Sequence, residues 1–352
     1  MAIIILGCGG TISMASDEIS GPLQPAFSVK DLLATIPELE QVGSLETKEI
    51  MSEDSSSLQP EDWLTITNEI YHAVNRPDVE GVVVVHGTDT LNFSASVCAL
   101  MIQKLPKPVV FTGAQVPLSQ VGSDGRKNLI DAILVAKSFP VAESLIVFNN
   151  RILRGIRSLK MSNYELQAFD SIDIPNLGDI GIKLDVLQSI YHPRLLQLYK
   201  PQYLPFLDPN VALIKVFPGL KPDFLLSLVD NFDYKGIVLE AYGAGNIPLK
   251  NRSILQTIKT LAERQIPVII TTQCIWGRTE MMLYETGRRA YEAGAIPGYD
   301  MLPTVAMIKL MWILGQHKKN SYIDVETIQK AMHTNFVGEI NPKIVPRQDL
   351  MS

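Results

Sequence analysis

Two apolar runs, Ala2-Ile3-Ile4-Ile5-Leu6 and Gly81-Val82-Val83-Val84-Val85, stop abruptly at glycine and threonine, in Gly7-Cys8-Gly9-Gly10-Thr11 and His86-Gly87-Thr88-Asp89-Thr90. Neither run alternates apolar with polar residues. An unbroken aliphatic run of this length reads as a strand buried on both faces. Such strands belong to parallel sheets, whose ligands gather beyond the carboxyl ends of the strands. Thr11 and the pair Thr88-Asp89 therefore stand where a doubly wound sheet does its chemistry.

The pattern repeats along the chain. Pro108–Phe111 leads into Thr112-Gly113-Ala114-Gln115, and Ser144–Phe148 into Asn149-Asn150. Helices are expected from Ser28 as N-cap, from Pro60 with Trp63, Ile66, Ile70 and Val74 on one face, over Ala95–Gln103, and over Asn128–Ser138. This strand–loop–helix rhythm predicts a parallel α/β sheet. Three segments interrupt it: a loop over Ile12–Phe27 placed like a lid, a turn-like stretch Met51–Ser57, and a polar excursion from Arg151 to Ile174 that carries Lys160. Prolines and tyrosines break the rhythm between 191 and 209. Strands then resume at 211–216, 236–240 and 267–270, with helices near 253–264, 303–315 and 324–335. At 352 residues the chain is too long for one ordinary core. The expectation is α/β, two domains with mainly parallel sheets: a larger N-terminal domain at 1–190, a linker at 191–209, and a smaller C-terminal domain at 210–352.

An apolar fraction of 46% and a charged fraction of 19% fit a soluble globular protein, and a net charge of −6 argues against a nucleic-acid partner. No apolar run approaches the ~20 residues of a membrane span. Cleavage of a leader would remove the first strand, which runs straight into the Thr11 loop, so a cytoplasmic protein is expected. Cys8, Cys98 and Cys274 lack metal-ligand spacing and read as buried reduced thiols. No metal site is expected.

Spacing alone leaves the chemistry open. Thr11 is either a nucleophile, its β-branch limiting χ1, or the cap of the next turn. Thr88 and Asp89 form either a proton-relay and ammonium-binding pair or a turn that caps the following helix. His86 is either a general base or a hydrogen-bonded structural residue. Lys160 is either a solvated surface charge, a desolvated base, or a cation that tunes Thr88. A dinucleotide fingerprint fails because Ile12 stands where its third glycine belongs, and neither a Walker sequence nor a Gly-x-Ser-x-Gly elbow is present.

As a set, the motifs resemble the bacterial-type L-asparaginase family and its cytoplasmic type I branch. They are Gly9-Gly10-Thr11-Ile12, Asp54-Ser55-Ser56 before Pro60-Glu61-Asp62-Trp63, His86-Gly87-Thr88-Asp89-Thr90, Thr112-Gly113-Ala114-Gln115, Ser123-Asp124-Gly125 with Asn128, Phe148-Asn149-Asn150-Arg151, Lys160, Tyr242-Gly243-Ala244-Gly245-Asn246 and Thr272-Gln273-Cys274. The resemblance implies hydrolysis of L-asparagine to L-aspartate and ammonia, with no metal or cofactor. Thr11 would form an acyl-enzyme, and Thr88, Asp89 and Lys160 would match the family's second triad. Asp54, Ser55 and Asp89 would hold the substrate's α-amino and α-carboxylate groups, with Ser56 beside them. Backbone N–H groups near Gly10 and Thr88 would stabilise the oxyanion. A homodimer or dimer of dimers is implied, with Asn246 the candidate contribution from a neighbouring subunit. The family's lid tyrosine is replaced: Leu23 falls nearest its place, and the first tyrosine in the chain is Tyr71. Three other readings stay open. They are a glutaminase-asparaginase, the amidase subunit of a tRNA-dependent amidotransferase (disfavoured because the first strand begins at residue 2), and an impaired asparagine-binding regulatory protein.

Overall fold

The computed structural model describes residues 1–16, 21, 23–186, 200–317, 323–346 and 349, the side chains of 16, 23–25 and 317 excepted. Two compact units divide the chain, Met1–Pro205 and Phe206–Ser352.

The first unit is built on eight strands: β1 (Ala2–Gly9), β2 (Ser44–Glu53), β3 (Val79–Val85), β4 (Val109–Thr112), β5 (Ser144–Phe148), β6 (Arg151–Arg154), β7 (Gly178–Ile180) and β8 (Leu184–Val186). Their order is β8-β7-β6-β5-β4-β3-β1-β2. The five strands from β1 to β5 are parallel. Ile3, Ile4, Ile5 and Leu6 are buried, as are Val82 to Val85, so β1 and β3 are covered on both faces. Helices α1 (Val29–Ala34), α2 (Pro60–Asn75), α3 (Leu91–Met101) and α4 (Gly125–Ser138) join successive parallel strands. α1 and α4 meet one face of the sheet in a cluster that joins Val29, Leu32, Leu129, Ile133 and Val135 to Ile3, Ile5, Val83, Val85, Val110 and Leu145.

The chain leaves β1 toward β2 on one side, and leaves β3 toward β4 on the other. The gap between β1 and β3 is thus the topological switch point, where open α/β sheets bind their ligands.

Four expectations change. The stretch at 51–53 is not a turn: β2 runs to Glu53, paired with Gly9, and its polarity reflects exposure at the sheet edge. The 3-10 turn begins only at Ser55. The helix expected from Ala95 starts at Leu91, and Ile102–Gln103 pairs instead with Gln202–Tyr203. The excursion from Arg151 opens as strand β6, turned back on β5 through Asn149 and Asn150, both at positive φ. A two-residue hairpin needs that conformation, and asparagine tolerates it. Within the same excursion, Ser158–Lys160 pairs antiparallel with Phe169–Ser171. In the lid-like segment, Met14–Ser16 pairs with Leu23–Pro25, and 17–20 and 22 lie outside the described residues.

The second unit has four parallel strands in sequence order, β9 (Val211–Lys215), β10 (Gly236–Ala241), β11 (Val268–Thr272) and β12 (Ile296–Pro297). Its helices are α5 (Pro222–Phe232), α6 (Leu255–Glu263), α7 (Glu285–Glu292), α8 (Pro303–His317) and α9 (Val325–His333). Of the expected linker, 191–199 lies outside the described residues. Cys8 and Cys98 are buried thiols, whereas Cys274 is exposed, because it lies in the loop after β11 rather than inside the strand. Among the described residues no helix is long and apolar enough to cross a membrane.

Candidate active site

Each parallel strand from β1 to β4 ends by delivering one piece of the site. β1 delivers Gly10 and Thr11, β2 delivers Asp54–Ser56, β3 delivers His86–Asp89, and β4 delivers Gly113–Gln115. The ladder continues into these loops, with Gly10 N donating to Glu53 O at 3.1 Å and His86 N to Thr112 O at 2.9 Å.

Glycine lets the loops touch. Gly10 sits at φ 91°, and a Cβ there would lie 2.3 Å from both Cα and N of Gly87. A Cβ on Gly87 would lie 2.5 Å from Ser55 Oγ. The Thr11 and Thr88 loops therefore meet backbone on backbone, and the Ser55 side chain packs against Gly87 beside them. Thr11 opens a short 3-10 turn whose N-cap is Gly10, so its hydroxyl is not spent as that turn's cap. The Gly10 carbonyl accepts from Ser13 N at 3.0 Å and Ser13 Oγ at 2.8 Å, which holds the turn closed.

Thr88 likewise does not cap α3, whose N-cap is Thr90. Lys160 Nζ donates to Thr88 Oγ1 at 2.7 Å and to Asp89 Oδ1 at 2.6 Å. Thr88 is buried, Lys160 is 17% exposed and Asp89 61% exposed, so the cation bridges a buried hydroxyl and a carboxylate open to solvent. An exposed pair of this kind contributes little to stability. Its value lies in orienting Thr88 and Asp89.

Asp54 is exposed and accepts from Ser56 N at 2.8 Å. That backbone N–H holds the Asp54 carboxyl below its ordinary range, which keeps an anion facing solvent. Ser55 is buried, and its carbonyl accepts from Thr90 Oγ1 at 2.8 Å, which ties the Asp54 loop to the Thr88 loop.

His86 is structural. It is fully buried, its Nδ1 lies 2.7 Å from Gly87 O and its Nε2 2.9 Å from Ser94 Oγ. The carbonyl can only accept, so Nδ1 carries the proton and Nε2 accepts from the serine. Burial pushes its pKa down to about 4.

Sequence reasoning left one member out of the site. Thr88 Oγ1 donates to Gln115 Oε1 at 3.3 Å. Behind Gln115, Asp124 accepts from Gln115 N and Val116 N, and Asn128 donates to Asp124 Oδ2 at 2.9 Å and to Gly113 O at 3.0 Å. Gln115, Asp124 and Asn128 all lie in motifs already noted, but no pattern along the chain shows which way an amide points.

Asn246 belongs to the second unit. It follows β10 in a tight turn bridged by Tyr242 and Asn246, and its Oδ1 accepts from Thr286 Oγ1 at 2.8 Å.

A doubly wound parallel sheet carrying hydroxyls, carboxylates and a lysine at its switch point, followed by a second parallel α/β unit, defines a class of two-unit α/β proteins. Residues 2–192 match the family model "Asparaginase, N-terminal", and residues 210–332 match "Glutaminase/Asparaginase C-terminal domain". The chain belongs to the asparaginase/glutaminase family. It is 39% identical to the L-asparaginase of Thermococcus kodakarensis over 97% of this chain and 99% of that protein. The solved structure of the thermostable T. kodakarensis L-asparaginase superposes with a TM-score of 0.87 at 38% identity, covering 97% of this chain and 99% of that one. Escherichia coli L-asparaginase 1 is 34% identical over 97% of this chain and 98% of its own length. A glutamyl-tRNA(Gln) amidotransferase component from Pyrococcus abyssi is 36% identical over 97% of this chain and 77% of its own length.

Proposed function

We propose that the chain is an L-asparaginase. One observation carries this reading: Lys160 Nζ hydrogen-bonds both Thr88 and Asp89, in a loop stacked directly on the loop that bears Thr11. Thr11 Oγ1 attacks the side-chain amide carbon of L-asparagine. Its proton passes to the departing amide nitrogen, ammonia leaves, and a β-aspartyl ester remains on Thr11. Water held beside Thr88 and Lys160 then adds to the ester carbon, the bond from that carbon to Thr11 Oγ1 breaks, and the water's proton passes to Thr11 Oγ1 as L-aspartate is released. Asp54, Ser55, Ser56 and Asp89 take the α-amino and α-carboxylate groups. The Gly10 N–H is itself taken by Glu53 O, so other backbone N–H groups near Gly10 and Thr88 would stabilise the developing oxyanion, and losing one such donor typically costs ~3 kcal/mol in the transition state. Two or four copies assemble, with Asn246 supplied by a neighbour. Resemblance supports that assembly, and light scattering of the purified protein tests it.

Preference for asparagine over glutamine turns on about one methylene of pocket depth, worth ~1–3 kcal/mol. The likeness to the amidotransferase component favours a second reading, an amidase that passes ammonia to a partner enzyme. The deciding experiment is ammonia release from asparagine and from glutamine, side by side, with Thr11→Ala, Thr88→Ala and Lys160→Met variants. Fast release from asparagine that both alanine variants abolish while staying folded supports the proposal, as does a Lys160→Met loss in turnover larger than its loss in binding. Full activity in either alanine variant removes the mechanism. Asparagine binding without release, seen as a thermal shift, points to a regulatory binder instead.

A further inference from the structure

Gln115 has a fixed orientation. Its Nε2 donates to two carbonyls, Ser162 O and Glu165 O, each at 3.2 Å. Carbonyls only accept, so the amide cannot be turned around, and Oε1 must face Thr88. Oε1 also only accepts, so the bond of 3.3 Å between it and Thr88 Oγ1 has to carry the threonine's single proton. Lys160 Nζ meanwhile donates into Thr88 Oγ1 at 2.7 Å. Every bond in the chain Lys160–Thr88–Gln115–carbonyls therefore runs in the same sense, and such chains strengthen one another.

We infer that Gln115 is a positioning residue that occupies the Thr88 proton and so presents the Thr88 oxygen as a hydrogen-bond acceptor. A threonine hydroxyl has one proton and two lone pairs. Gln115 takes the proton and Lys160 one lone pair. The remaining lone pair is the only capacity left for a bound molecule, and it can receive an N–H of the substrate amide or an O–H of the attacking water. Without Gln115 the hydroxyl is free to rotate and to act as a donor, which is the wrong polarity for holding the attacking water by its O–H. The backbone at 115 is held separately, by Asp124 on the N–H groups of Gln115 and Val116, so the side chain can be changed without releasing the loop. This inference rests on the proposed hydrolysis, and its test is arranged to fail separately from it.

The experiment compares wild type, Gln115→Met and Gln115→Glu across pH 4 to 9, with ammonia release from asparagine as the readout. Gln115→Met should lower kcat by about 10- to 100-fold, the scale of a misplaced catalytic group, with KM changed much less. Gln115→Glu can both donate to the carbonyls and accept from Thr88 only while protonated. Its activity relative to wild type should therefore rise as pH falls toward the ordinary glutamate pKa of about 4.3, a trend that Gln115→Met must not share. Wild-type kcat in Gln115→Met, or parallel pH profiles for the two variants, overturns the inference while leaving the hydrolase reading intact. Neutron diffraction from the deuterated wild-type protein reads the proton without turnover. A Thr88 deuteron directed at Gln115 Oε1 supports the inference even if asparagine proves not to be the substrate, and one directed at Lys160 refutes it.

Discussion

Replacing Gly10 by alanine should damage the site far more than an ordinary glycine substitution, and a built-in control shows why. Gly10 lies at φ 91° with ψ 175°, a conformation essentially confined to glycine, and Gly122 at φ 86°, so alanine carries a backbone cost at both positions, about 1–3 kcal/mol at Gly10. The surroundings differ. A Cβ at Gly122 meets nothing within 4 Å, whereas one at Gly10 would lie 2.3 Å from Gly87 Cα and N and 2.8 Å from His86 C. Those atoms are backbone, which no rotamer change can move aside, so overpacking adds a further ~1–3 kcal/mol. Gly122→Ala should cost about 1–2 kcal/mol and Gly10→Ala about 2–6 kcal/mol, the difference combining the close approach of the two loops with the glycine-only backbone at Gly10. Urea unfolding of both variants gives the stabilities, and ammonia release gives the consequence for the site. Gly10→Ala should lose nearly all turnover while Gly122→Ala keeps it. Equal stabilities, or a fully active Gly10→Ala, would refute the account of a site assembled by backbone contact between the Thr11 and Thr88 loops.

Two further expectations concern buried ionisable groups. His86 has its pKa lowered by burial to about 4 from the ordinary 6.5, so the unfolded chain binds the extra proton first. The stability His86 contributes is present above pH 6.5 and is lost as pH falls toward 4, in all roughly 3 kcal/mol. Urea unfolding at pH 7.5, 6 and 5 should show that decline blunted in His86→Gln, and equal slopes for the two proteins would contradict it. In the second unit, Lys309 and Glu339 form an ion pair at 2.7 Å with both side chains fully buried. Burial works to raise the Glu339 pKa, but Lys309 together with the Phe336 and Val337 N–H groups more than offsets it, and the net shift is downward. Lys309→Met strands that carboxylate and should cost about 3–5 kcal/mol, with more than half recovered in the Lys309→Met/Glu339→Gln double variant, which urea unfolding can measure.

The parallel strands were legible because burial on both faces leaves an unbroken aliphatic run, as in β1 and β3. What escaped was structure made by exposed or specially folded residues. β2 sits at the sheet edge with a polar, exposed pattern, so nothing in its composition separates it from a loop. The Asn149-Asn150 turn did carry a signal, a pair of residues that tolerate positive φ directly after an apolar run, and it marks where the sheet turns antiparallel. In the site, Thr11, Thr88, Asp89 and Lys160 were singled out by residue type and motif. Spacing alone could not separate a catalytic threonine from a capping one; the caps observed, Gly10 and Thr90, leave both hydroxyls unspent as caps. Gln115 was invisible for a different reason. Its orientation depends on carbonyls at 162 and 165, contributed by backbone that any sequence there would provide.

The topology accounts for why these particular residues meet. Thr11, Asp54, Thr88 and Gln115 each follow a different parallel strand, and Lys160 lies on a short strand beyond the hairpin that leaves β5. In sheet order the strands that feed the site run β4, β3, β1, β2, so the β1 and β3 loops lie at the centre and the β2 and β4 loops flank them. The central pair supplies the two threonines. In the proposed mechanism the flanking loops supply groups that hold rather than react: exposed Asp54 on one side and the directed Gln115 amide on the other. A site built this way has its polar groups fixed by backbone stacking and by one-way hydrogen bonds. The proposed hydrolysis of a small amide would then need little rearrangement of these four loops, which is the condition under which preorganised donors and acceptors contribute most to a transition state.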